Sequence, residues 1–146
     1  MQAWRLCRRP YADLSGEGAR RYGGRWNSRG YPVVYLADHP ALAALEVRVH
    51  LDLPHDLLPD DYVLMGVSIP DDTIEEGIAT ANPLAFGNAW LTERRSAALR
   101  VPSVLTPNAW NILLNPRHAD AGKTTITSTE HFGFDPRLWG PLAGKG

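Results

Sequence analysis

The hydrophobic positions along the chain come in short runs, each closed by glycine, proline or a small polar cluster. That punctuation predicts short elements. Trp4 to Cys7 reads as a first strand. Residues 10–31 carry Gly16, Gly18, Gly23, Gly24 and Gly30, which break any period, and they read as loop. The run Pro32-Val33-Val34-Tyr35-Leu36-Ala37 is β-branched and aromatic, as expected of a buried strand. A helix follows over Ala41 to His50, with Asp38 or His39 as its cap and Pro40 in its first turn. Tyr62 to Ile69 is a further strand, and residues 71–83 read as a loop or a short helical turn. Leu84 to Leu99 is mostly helix-compatible, weakened at Gly87. Arg100 to Leu105 looks like a strand in which Pro102 marks an edge or bulge, and Asn111 to Leu114 and Thr124 to Thr129 are further strand candidates. Several strands, two helices and glycine-rich loops near the start define an α+β fold.

The 146 residues leave room for one domain, spanning 1–146, and little chain for a second. Hydrophobic residues at 44% and charged residues at 21% exclude a disordered chain, a collagen-like repeat and a coiled coil. No run approaches the ~20 apolar residues that cross a bilayer. Met1 to Arg9 lacks an apolar core with a cleavage site, so no signal peptide is expected. The single cysteine, Cys7, has no internal disulfide partner, which fits a reducing compartment; it reads as a small buried hydrophobe. The expected location is the cytoplasm.

The net charge of −1 conceals three blocks: residues 1–50 carry +4, residues 51–93 carry −9 with no Lys or Arg, and residues 94–146 carry +4. The acidic block is either solvated surface or a docking face for a basic partner segment. Of the 15 basic residues 13 are Arg, whose planar fork grips phosphate oxygens, although codon bias produces the same excess without function. A pI near 6.5 lacks the basic footprint of a nucleic-acid binder.

The densest stretch for chemistry is Gly23-Gly24-Arg25-Trp26-Asn27-Ser28-Arg29-Gly30. Paired glycines let the backbone approach a ligand, and Arg25 and Trp26 offer an anion fork beside an aromatic plate. The same residues fit a tight turn with an exposed Arg and a core Trp. On the helix, Leu42, Leu45 and Val49 form one apolar stripe, and Glu46 lies about 40° from Leu42 and about 60° from Val49. A carboxylate bordering a buried face needs partners or a task, and one of the many arginines would serve as partner. His50, His55 and His131 are too scattered for metal-ligand spacing, and no metal is expected. His118 reads as a loop histidine outside the catalytic set. No Gly-x-Gly-x-x-Gly fingerprint or phosphate loop is present to hold a resident dinucleotide cofactor.

Gly23-Gly24-Arg25-Trp26-Asn27, Gly30, Val33-Val34-Tyr35, Leu42-Ala43-Ala44-Leu45-Glu46 and Val49-His50 together resemble the signature of the RES domain family, named for an Arg, a Glu and a Ser. The resemblance continues through Leu99-Arg100-Val101-Pro102-Ser103, Asn115-Pro116-Arg117-His118 and Phe134-Asp135-Pro136-Arg137-Leu138, and so covers nearly the whole chain. The run from 23 to 50 is quite specific; the later motifs are weak alone. The resemblance implies a mixed-sheet fold similar to that of diphtheria-toxin-type ADP-ribosyltransferases. It implies the toxin of a type II toxin–antitoxin pair, with an Xre-like DNA-binding antitoxin as partner. It implies NAD as substrate, cleaved at the nicotinamide–ribose bond, with hydrolysis, phosphorolysis or transfer to a protein as outcomes.

Under that resemblance the catalytic set is Arg25, Tyr35, Glu46 and Ser103, and the NAD-binding set is Arg5, Arg25, Trp26, Tyr35 and Ser103. Arg5 and Arg25 would clamp the pyrophosphate, and Tyr35 would plate the nicotinamide. Glu46 would stabilise the cationic ribose, and Ser103 would donate one more hydrogen bond. Each has a plainer role: Arg5 on the surface, Tyr35 in the core, Ser103 in a turn. The sequence departs from arginine-directed transferases at Ala44, where those enzymes carry a second Glu or Gln two residues before the catalytic Glu. The departure favours water or phosphate as acceptor over a protein arginine. A non-catalytic antitoxin-binding scaffold and an RNA-directed toxin remain alternatives; the four intact residues weigh against the first, and the pI against the second.

Overall fold

The computed structural model describes residues 1–141. Its strands are β1 (Gln2–Arg8), β2 (Val34–Ala37), β3 (Tyr62–Ser68), β4 (Ile74–Glu76), β5 (Ala98–Pro102), β6 (Trp110–Leu114) and β7 (Thr125–His131). The helices are α1 (Glu17–Tyr22), α2 (Pro40–Val49) and α3 (Pro83–Glu93). All seven strands join one sheet in the order β4-β5-β6-β2-β1-β3-β7. β4 runs parallel to β5, and the other pairings are antiparallel, so the sheet is mixed and the fold α+β.

Several local expectations need correction. The glycine-rich stretch contains a short helix, α1, whose last turn is closed by Gly23 at φ 72°. Residues 71–83 contain the strand β4, which needs a parallel neighbour from a distant segment and so has little local signature. The second predicted helix stops at Glu93, because Arg94 turns into the left-handed region at φ 51° and its N–H caps the helix on the carbonyls of Trp90 and Leu91. Ala98 and Leu99 then belong to β5. Gly87 is required rather than merely tolerated. A Cβ there would stand 1.8 Å from the Trp26 carbonyl oxygen, so α3 and the 23–30 loop touch backbone to backbone.

The pairing between β1 and β2 is confined to Trp4 opposite Ala37, while β1 pairs with β3 over seven positions and β2 with β6 over four. Trp4, Ala37, Asn111 and Val101 form one row across the sheet. α2 begins just after β2. His39 Nδ1 accepts from Ala41 N–H at 3.0 Å, which decides the cap, and Pro40 occupies the first turn. The helix docks through Leu42 and Ala43 onto Leu6 and Ala37. Leu45 and Val49, placed in the buried stripe by periodicity, are 40% and 51% exposed. Small Ala43 lets the helix approach the sheet closely, which turns the 42–43–46–47 face inward. Arg48 ties the helix to the segment after β7: its Nε donates to the Leu138 carbonyl at 3.1 Å, and its guanidinium lies 4.1 Å from the Trp139 ring centroid.

Among the acidic block's carboxylates, Asp61, Asp71, Glu75 and Glu76 pair with Arg8, the N-terminal amine, Arg95 and Arg100 of this same chain. Much of the charge asymmetry is therefore met internally. Cys7 lies against Met65, and burial pushes its thiol above the ordinary value, away from nucleophile chemistry.

Candidate active site

A cleft of about 630 Å³ opens where the β1–β2 pairing ends. Its walls are β1, the loop carrying Gly23 to Trp26, Tyr35 and Ala37 of β2, the inner face of α2, and the tip of the β5–β6 turn at Val104 and Leu105. Arg5, Arg25, Trp26, Tyr35 and Glu46 all line it. Ser103 does not.

Glu46 is half-buried on α2, and its Oε1 accepts from Asn111 Nδ2 at 2.6 Å. Burial pushes the carboxyl above its ordinary value; the Asn111 hydrogen bond and His50 pull it back, and Asp38 pushes it up. Its charge thus faces a poorly solvated wall, where its field on a nearby cation is little screened.

The loop wall is held by a buried polar network. Asn27 is 1% exposed, and its Nδ2 donates to the carbonyls of Ala19 and Tyr31 at 2.9 and 3.0 Å. The Tyr35 hydroxyl donates to Asn27 Oδ1 at 2.6 Å and accepts from Trp26 N–H at 3.0 Å. A Cβ at residue 24 would lie 2.7 Å from that hydroxyl, so only glycine lets the loop close over it. Burial pushes the Tyr35 phenol up to about 12, so it stays protonated at neutral pH and acts as a pin. Its ring is thereby fixed at the cleft.

Trp26 is 5% exposed, packs edge-on to Phe86 and sits in the cluster with Val33, Trp90 and Leu113. It is chiefly a core residue that closes the bottom of the cleft. Arg25, next to it, is exposed and makes no hydrogen bond or ion pair among the described residues. Arg5 is more committed, its Nη1 donating to the carbonyls of Tyr11 and Asp13 at 2.6 and 3.0 Å. Ser103 lies just after β5, where its Oγ accepts from Leu105 N–H at 3.1 Å and shapes the turn at the cleft mouth. The accepted bond leaves its hydroxyl proton available. His118 holds its own loop by accepting from Asp120 N–H at 2.9 Å, away from the cleft.

Sequence reasoning missed Asn111. Strand alternation in Trp110-Asn111-Ile112-Leu113-Leu114 carries the signal, since Asn111 shares a face with Leu113, and a polar group on a covered face needs a partner. Its partner, Glu46, is 65 residues away, and only the fold reveals it.

The geometry defines a class: a single-domain α+β protein with a split-sheet cleft lined by a half-buried carboxylate on α2 and, from the 23–30 loop, a guanidinium unpaired among the described residues. The model of the RES domain matches residues 2–135, and the chain belongs to that family. It is 38% identical over 141 residues to the Prs ADP-ribosylating toxin of Sphingobium sp. (strain YBL2), covering 86% of each chain. It is 57% identical over 90 residues to the NAD(+) phosphorylase MbcT of Mycobacterium bovis, covering 53% of this chain and 48% of that one. The crystal structure of the M. tuberculosis MbcT–MbcA toxin–antitoxin complex shares the fold, with a TM-score of 0.74 at 21% identity over 94% of this chain and 86% of that chain. No helix among the described residues is long and apolar enough to cross a membrane, and no group of three or more His, Cys, Asp or Glu among them is placed to hold a metal.

Proposed function

We propose that this protein is an NAD-consuming toxin of a toxin–antitoxin pair, and that it cleaves the nicotinamide–ribose bond with NAD as substrate and no bound cofactor. The observation that carries the reading is the half-buried Glu46 carboxylate, held by Asn111 in the same cleft as Arg25. The C1′–N bond breaks with its electron pair passing to nicotinamide, which leaves as a neutral base. Positive charge builds on the ribose, and Glu46 stabilises it where water is scarce. Arg25 clamps the pyrophosphate, assisted by the free end of Arg5; the Tyr35 ring plates the nicotinamide; Ser103 donates its proton to phosphate or ribose from the rim.

The acceptor oxygen then bonds C1′, and the proton of an attacking water passes to solvent. Phosphate or water fits the open cleft and the absence of a second carboxylate at Ala44, and the 57% relative is named a phosphorylase. Transfer to a protein is the second reading, favoured by the nearly full-length relative named an ADP-ribosylating toxin. On this reading the antitoxin is of the Xre-like class and covers the cleft mouth; the exposed apolar side chains of Val49, Val104 and Leu105 there support it. A carboxylate of such a partner would compete with NAD phosphate for Arg25.

Incubation of the purified protein with NAD, with and without inorganic phosphate and a chelator, tests the reading by chromatography of the products. Nicotinamide is expected in every arm, with phosphate changing the partner product from ADP-ribose to its phosphate ester. Arg25→Ala should raise KM more than it lowers kcat. No nicotinamide in any arm would overturn the reading.

A further inference from the structure

We infer that Asn111 is the positioning residue for Glu46: anchored to the backbone of β2, its amide holds the carboxylate at the cleft wall. The orientation of the amide is unambiguous, because Nδ2 stands 2.6 Å from a carboxylate oxygen and 3.2 Å from the Leu36 carbonyl, both acceptors. One amide hydrogen is spent on the sheet and the other on Glu46. Glu46 has no other side-chain hydrogen bond among the described residues. The exposed half of the carboxylate thus faces the cleft with a fixed direction, set from the strand row that ends the β1–β2 pairing.

The groups around Glu46 are few. Asp38 and His50 flank it along α2 and its entry turn, while Arg5 of β1, Arg25 of the 23–30 loop and Tyr35 of β2 line the same cleft. The Asn111 amide is the one donor bonded to the carboxylate, so its removal strengthens the neutral acid. Asn111→Leu keeps the heavy-atom count and branching of the side chain but removes the donor. Asn111→Asp places a second acid against the first, and the pair then titrates in two separated steps.

The inference rests on the NAD reading for its catalytic consequence, and two measurements keep the two apart. In protein labelled with carboxyl-¹³C glutamate, Glu46 is one of six glutamates and is assigned by loss of its signal in Glu46→Gln. Its titration midpoint is expected to rise by about one unit in Asn111→Leu and by more in Asn111→Asp, with the other five unmoved. Nicotinamide release is expected to fall about tenfold in kcat in Asn111→Leu, with KM within about twofold and the acid limb of the pH profile moved upward by the same interval as the midpoint. A midpoint that stays put in both variants overturns the role of Asn111, whether or not the protein turns over NAD. A wild-type protein that releases no nicotinamide while the midpoint moves overturns the NAD reading and leaves the positioning role standing.

Discussion

The two walls of the cleft are built on different principles. The loop wall is held redundantly: Asn27 bonds two carbonyls and Tyr35, Tyr35 bonds the Trp26 amide, and α3 touches the loop at Gly87. The helix wall aims its one acidic side chain through a single hydrogen bond from Asn111. Damage to the first wall should therefore appear as lost stability and substrate affinity. Damage to the second should appear in the chemical step.

The largest effect tests the second wall. Glu46→Gln is expected to lower kcat for nicotinamide release about 10²–10³-fold with KM little changed, measured by steady-state kinetics. The stability sign runs the other way. Burial raises the folded-state pKa of Glu46, so its contribution to stability is fully present below the ordinary glutamate value and is lost as pH rises through the folded value. At neutral pH the ion is a burden on the fold, and Glu46→Gln, which keeps an acceptor for Asn111, should raise Tm by about 2 °C. That gain should vanish near pH 4. Equal losses in kcat and Tm would erase the contrast between the walls.

On the loop wall, Gly87→Ala forces a methyl group onto the Trp26 carbonyl and should cost about 3 kcal/mol or more in urea unfolding. Tyr35→Phe keeps the ring but strands Asn27 Oδ1 and the Trp26 N–H, at about 1–2 kcal/mol, and should raise KM more than it lowers kcat. Ser103→Ala is expected to have the smallest effect, a rise in KM of about threefold, because Oγ already serves the Leu105 amide and the residue stands at the rim. A loss in kcat at Ser103 matching that at Glu46 would place the hydroxyl at the reacting ribose instead.

Strands with strong alternation or β-branched runs, such as β2 and β3, were legible from the chain alone, as was the entry to α2 at Pro40. The rotation of α2 was not, since a row of alanines and leucines reads similarly in several settings, and the sheet's shape chose the face with Ala43. α1 was hidden by its own glycines, and β4 by its dependence on β5. Within the site, the family signature brought out Arg25, Tyr35 and Glu46, and the fold brings them to one cleft. It also brought out Ser103, which the structure sets beside that cleft rather than in it. What no local pattern contained was the bonding between distant residues: Asn111 with Glu46, and Asn27 and Tyr35 across a turn.

The lone Trp4–Ala37 pairing has a mechanical consequence. It makes the sheet two half-sheets, β4-β5-β6-β2 and β1-β3-β7, sewn along a seam one residue long. The chain passes from β2 into α2, and α2 lies across both halves through Ala37 and Leu6, acting as a strap over that seam. Amides on either side of it belong to different cooperative units and are expected to exchange with solvent at different rates. A molecule seated in the cleft touches both halves at once, so substrate or antitoxin alike would fasten the seam from the open side and bring the two units to exchange as one.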